Sequence, residues 1–189
     1  MNTKAIMQKQ EGLTSQQEIT RLLNVAYNEG YIEIQQKYKV LTLWQPWATL
    51  LIIGAKKIET RPSFTSWTIE KGIYLVHVAQ KWTSELDAIS KQSPFKEKLK
   101  GHSLNLGCII GSIEIIGCFP IFETHNGYFE LIGSDTNISE IEIKFGDYRE
   151  GRFAWITQNP RILQTPIPYK NGQGYYQNYK GDTKLLKFI

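Results

Sequence analysis

The stretch Tyr38–Arg61, YKVLTLWQPWATLLIIGAKKIETR, decides how this chain is read. Val40, Leu41 and Leu43 predict a short buried strand, Pro46 is preset for the first turn of a helix, and Gly54 sits where that helix would stop. Between them Trp47, Leu50, Leu51 and Gly54 recur at helical spacing, which puts one stripe of a short helix against a core. The helix is expected to be a buried prop. Directly after it, Lys56, Lys57, Glu59 and Arg61 place four ionisable groups within six residues. In an extended segment Lys57, Glu59 and Arg61 share one face.

Two readings of that charged segment stay open on residue types alone. In the first it is a solvent-exposed edge strand, with Glu59 paired to Lys57 or Arg61; edges are commonly guarded by charge, and such pairs weigh little. In the second it floors a cleft, where a carboxylate beside several cations stays ionised and holds them in place for a polar or anionic ligand.

At these residues the sequence resembles a known family. Gly54, Lys56, Glu59 and Arg61 fit the G-x-K-x-x-E-x-R motif of the ASCH (activating-signal-cointegrator homology) domain, and Leu43–Ala48 looks like that family's opening strand and helix. Cys108–Gly117 (CIIGSIEIIG) resembles its central strand, and Arg152–Pro168 (RFAWITQNPRILQTPIP), followed by Lys170–Tyr176, resembles its closing strands. The resemblance covers residues 38–180. It implies an α+β fold, a PUA-like mixed β-barrel with peripheral helices, whose cleft lies between the first helix, the charged strand and neighbouring loops. It also implies binding of RNA, single-stranded nucleic acid or a modified nucleoside there. Mapped onto this sequence, the floor is Lys56, Glu59 and Arg61, flanked by Trp44, Gln45 and Trp47.

Some ASCH proteins resembling bacterial amidohydrolases remove the acetyl group of N4-acetylcytidine with a Lys, a Thr and a Glu. Their motif carries Thr at the position of Glu59. Thr60 is adjacent, but in a strand it would point to the opposite face. A hydrolase here would divide the work differently, with Glu59 as base for a water and Lys56 stabilising the developing oxyanion. Glu59 serves equally well as acceptor for the exocyclic amine of a base. Binding is therefore the first expectation, amide hydrolysis the alternative, and a protein-interaction module the third.

A chain of 189 residues with 41% hydrophobic content can bury a core without staples. Cys108 and Cys118 lie ten residues apart on one expected strand, too far to bond to each other. With no C-x-x-C or paired His, neither metal nor cofactor is expected. No apolar run approaches bilayer length and the N-terminus lacks the apolar core of a signal peptide, so a cytoplasmic protein without membrane contact is expected. A net charge of +4 permits polyanionic partners, and five Trp, ten Tyr and eight Phe supply rings for stacking bases, although core packing claims rings too.

Residues 1–37 are expected to form a helical extension to a main domain of residues 38–189. Thr14 or Ser15 caps a helix through Asn28, whose stripe of Ile19, Leu22, Leu23 and Ala26 covers the main domain or mediates self-association. Pro62–Lys71, with Trp67, reads as a flap. Ile73–Ala79 reads as a central strand, with His77 either a satisfied core group or a cleft residue and Gln80, Lys81 and Trp82 at the cleft mouth. Thr83 caps a helix with Leu86 and Ile89 buried, and Ser93-Pro94 opens a basic stretch through Lys100. Gly107–Phe119 is a long apolar strand in which Glu114 needs a salt bridge or a cavity. In the loop-rich Phe119–Gly151 segment, Glu140 and Glu142 read as a solvated face. Arg152 heads the closing segment as a further candidate ligand contact. Asn159-Pro160 is expected to turn the chain, Gly172–Gly174 to turn it again, and Lys184–Ile189 to close the sheet.

Overall fold

The computed structural model describes residues 15–28, 38–62, 69–170 and 176–189. It divides into two units, Met1–Lys37 and Tyr38–Ile189. The first contributes helix α1, Ser15–Asn28, with Glu18 in its first turn bonded to Arg21. Ile19 and Leu22 on it are exposed. The side chains of Leu23 and Ala26 lie outside the described residues, as do Trp67 with most of the expected flap and the Gly172–Gly174 turn.

The second unit runs β1 (Lys39–Leu43), α2 (Trp47–Ile52), β2 (Ile58–Pro62), β3 (Gly72–Val78), α3 (Ser84–Ser90), α4 (Phe95–Lys98), β4 (Cys108–Glu123), β5 (Phe129–Leu131), α5 (Glu140–Lys144), β6 (Arg152–Pro168) and β7 (Tyr176–Asn178). Its strands form one seven-stranded sheet in the order β2-β6-β4-β3-β1-β7, with β5 on β4. The β1–β3 pair is parallel and the others antiparallel, so the sheet is mixed. The fold is thus α+β with few, short helices. Among the described residues no ladder joins β2 to β7, so the hydrogen-bonded path is open.

Helix α2 is buried over more than one stripe: Ala48, Thr49, Leu50, Leu51 and Ile52 are all inside. Ala48, Leu51 and Ile52 pack on Leu41, Leu43, Val76, Val78 and Trp155 of the sheet, while Leu50 packs outward on Phe95, Leu99 and Phe145. Clamped from both sides, the helix has one register available. Gly54 ends it at φ 72, a left-handed conformation in which a Cβ would stand 3.3 Å from the Pro160 ring. That turn aims the chain into the charged segment.

Three expectations change. Asn159-Pro160 does not reverse the chain. Asn159 adopts φ 48, a conformation Asn tolerates, and β6 continues through it alongside β4 with shifted register. Lys184–Ile189 adds no full strand, because Asp182 caps a 3-10 turn at Thr183–Leu185 by accepting from the Lys184 N–H at 2.9 Å, and only Phe188 bridges to Leu163. Glu114 takes neither of its expected roles: its carboxylate accepts from the amides of Gln158 (2.9 Å) and Asn159 (2.7 Å) across the ladder. Cys108 and Cys118 share β4 and are both free thiols.

Candidate functional site

Strand β2 lies at one end of the sheet path, paired with β6 so that Glu59 stands opposite Trp155 and Arg61 opposite Phe153. It is not, however, a solvated charged edge. Glu59 is 9% exposed, and its two oxygens face two cations, Arg61 Nε at 3.2 Å and Lys56 Nζ at 3.8 Å. The Arg61 guanidinium lies 5.5 Å from the Trp155 ring centre and donates to the Thr42 carbonyl at 3.4 Å. Lys57 lies outside β2 and is exposed, so it does not join Glu59 and Arg61 as the alternation predicts.

Lys56 is 1% exposed, and its ammonium donates to the Ile58 carbonyl. Burial pushes this amine below the ordinary lysine value, against the opposing pull of the Glu59 and Glu142 carboxylates. Glu142, read from sequence as solvated, is buried, with one oxygen 3.9 Å from Lys56 Nζ. The same carboxylate accepts the backbone N–H groups of Lys57 and Ile58, both at 3.0 Å. Tyr148 donates to it at 3.5 Å, and burial first, with the nearby carboxylates, pushes that phenol well above its ordinary value, so it stays protonated. One sequence signal could have found Glu142. Ser139 caps α5 by accepting from the Glu142 N–H at 3.3 Å, the S-x-x-E pattern of a capping box. The glutamate reaches across to the start of β2.

Two small cavities meet at Glu59 and Trp47. One, of about 240 Å³, is lined by Thr42, Leu43, Trp44, Trp47, Glu59 and Arg61. The other, of about 280 Å³, adds Lys56, Thr60 and the Lys144–Asp147 turn. Trp47 is fixed edge-on against Phe95, which packs in turn on Phe145. Trp44 is 47% exposed, with the Lys81 ammonium 4.0 Å above its ring. Thr60 borders the second cavity beside Glu59, its hydroxyl accepting from the Asp147 N–H at 3.1 Å.

The remaining expected residues fall elsewhere. Gln45 is fully buried; its amide oxygen accepts from the Thr49 N–H at 3.1 Å and its nitrogen donates to the Asn105 carbonyl at 3.2 Å, so it braces the helix start and does not flank the cleft. Arg152 stands behind the second cavity, donating to the Asp147 carbonyl (3.0 Å) and the Thr60 carbonyl (3.3 Å). His77 is buried, with Nε2 2.9 Å from the Tyr169 carbonyl and Nδ1 3.1 Å from the Thr42 hydroxyl. A carbonyl only accepts, so Nε2 carries the proton and Nδ1 accepts from Thr42. Burial pushes the imidazole below its ordinary value. His77 borders a third cavity of about 840 Å³. Among the described residues no group of His, Cys, Asp and Glu could hold a metal ion, and no helix is long and apolar enough to cross a membrane.

Comparison with known proteins adds a family match. The model of the ASCH domain matches residues 41–185. The mouse protein Activating signal cointegrator 1 is 24% identical over 152 residues, which covers 77% of this chain and 22% of that protein, so the chain spans a minor part of the relative's length. Among solved structures, the ASCH protein from Zymomonas mobilis is similar at 13% identity and a TM-score of 0.43, covering 76% of this chain and 88% of that one. A serine-to-alanine variant of the same protein is similar at 14% identity and a TM-score of 0.40, covering 76% and 89%.

Proposed function

This chain belongs to the ASCH domain family, and from that premise we propose that the cleft between Trp44, Trp47, Glu59 and Arg61 binds a base of single-stranded RNA or of a modified nucleoside. The observation that carries the reading is the ion pair of buried Glu59 with half-buried Arg61, 3.2 Å apart, lining the same pocket as two tryptophans. A half-exposed indole such as Trp44 is a stacking platform, worth about 1–3 kcal/mol per base. Glu59 accepts from an exocyclic amine, and Arg61, held by Glu59 and the Thr42 carbonyl, presents donors to a base carbonyl or ring nitrogen. Lys81 above Trp44 supplies positive charge where the sugar and phosphate would emerge. The mixed sheet is read, on resemblance alone, as the core of a PUA-like barrel.

Equilibrium binding of fluorescent single-stranded oligonucleotides at rising salt tests this reading. Affinity should fall with salt as phosphate contacts release counterions. Trp44→Ala should weaken binding by about 1–3 kcal/mol. Binding that is absent at low salt, or indifferent to Trp44→Ala and Arg61→Ala together, counts against it.

Hydrolysis of an N4-acetylcytidine-like amide is the second reading. It is favoured by the depressed Lys56 amine beside Glu59 and Thr60 on one small cavity. There Glu59 would take a proton from water and the Lys56 charge would stabilise the oxyanion. Two features weigh against it: Lys56 is almost wholly buried and committed to the Ile58 carbonyl, and the Thr60 hydroxyl already accepts from Asp147. Release of acetate from N4-acetylcytidine, absent in Glu59→Gln, is the result that would favour this second reading over the first.

A further inference from the structure

The 840 Å³ cavity beside His77 has no part in the single-base cleft, yet it shares a wall with it. Thr42 lines both. On one side the Thr42 carbonyl accepts from Arg61 of the cleft, and on the other its hydroxyl meets His77 of the larger cavity. A second link runs through the segment that follows β3. The Ala79 N–H donates to the Leu43 carbonyl at 2.9 Å, and the next two residues divide between the sites: Gln80 lines the large cavity, while the Lys81 ammonium sits over Trp44.

The lining of this cavity suits one nucleotide and its phosphate. Its volume lies within the usual range of small-molecule pockets, about 300–1,000 Å³. Tyr169 offers a partly exposed ring, packed against His77 at 5.9 Å and Tyr179 at 5.5 Å between ring centres. Gln80 brings an amide that both donates and accepts, lying against Gly107, where a Cβ would clash with it. Lys170, exposed on the rim, adds a cation, and no carboxylate lines the cavity among the described residues. His77 is fully engaged and neutral, so it shapes the wall and leaves the charge to Lys170.

We infer that the cavity formed by Thr42, Gln80, Gly107, Tyr169 and Lys170 is a second nucleotide subsite, which takes the neighbour of the base held at Trp44. The ligand of this domain is then a single strand of two or more nucleotides and not a free nucleoside. This rests on the proposed base-binding role of the cleft. Between the subsites the strand crosses Thr42, with Lys81 and Lys170 beside its phosphates.

Calorimetric titration of the full chain with the four ribonucleoside monophosphates and the four matching homotetranucleotides tests it. For the preferred base, the tetranucleotide should bind at least about tenfold tighter than its monophosphate, through the added stacking and phosphate contact. Gln80→Ala combined with Lys170→Glu, both on exposed side chains, should erase that gain and leave monophosphate affinity within about twofold. Lys170→Ala alone should reduce the salt slope by about 0.7. If monophosphate and tetranucleotide bind equally, or the gain survives the double variant, the second subsite is overturned and the cleft stands. If neither class of probe binds, both fall together.

Discussion

Glu142 and Lys56 lie far apart in the second unit's sequence yet face each other in its interior, 3.9 Å apart, with the same carboxylate accepting the N–H groups of Lys57 and Ile58. This contact sets where β2 begins and hence where Glu59 and Arg61 point. Glu142→Ala would leave two backbone donors unpaired and a buried amine with one fewer counter-charge, a loss of about 3–5 kcal/mol in denaturant unfolding. Glu142→Gln keeps an acceptor and should lose less, about 1–3 kcal/mol. A loss below about 1 kcal/mol for Glu142→Ala would contradict the bracing role.

His77 gives the fold a pH dependence of definite sign. Burial holds its imidazole below the ordinary value of 6.5, so at mildly acidic pH the unfolded chain takes up a proton that the folded chain resists. The contribution to stability is complete above that ordinary value and is lost as pH falls from it towards the lower folded value. The denaturation midpoint should therefore drop between pH 7.5 and pH 5.5, and drop less in His77→Gln, whose amide can still donate to the Tyr169 carbonyl. Equal drops in both proteins would remove His77 from the explanation.

Much of the cleft is legible in sequence because its parts are neighbours in the chain. Trp44, Trp47, Lys56, Glu59 and Arg61 all fall within one strand–helix–strand unit, whose helix Pro46 and Gly54 bound. Glu142 carries only the faint signal of its S-x-x-E cap with Ser139, and an acid in a loop-rich segment otherwise looks solvated until the fold brings it to the start of β2. Gln45 misleads for the opposite reason: it adjoins two cleft tryptophans, but its side chain turns inward to close the helix start. The Asn159-Pro160 pair has the chemistry of a turn, and only pairing with β4 on both sides of it keeps β6 one strand.

Replacing Glu59 separates binding from chemistry. Glu59→Gln keeps the shape and an acceptor, but adds a donor and removes the charge facing Arg61 and Lys56. For a binding cleft the outcome is a changed order of preference among bases, read by competition against a labelled strand. For an amide hydrolase it is loss of turnover on N4-acetylcytidine. Thr60→Ala should cost about 1 kcal/mol of stability through the orphaned Asp147 N–H and leave base preference intact. An unchanged preference in Glu59→Gln would remove the carboxylate from recognition.

The most direct measurement is ultraviolet crosslinking of a bound single-stranded oligonucleotide to the wild-type chain, with the adducts mapped by peptide mass. Stacking on the indoles places adducts on Trp44 and Trp47, and these should vanish when unlabelled strand competes. Adducts confined to the basic Lys91–His102 segment, with none between Thr42 and Arg61, would contradict the account.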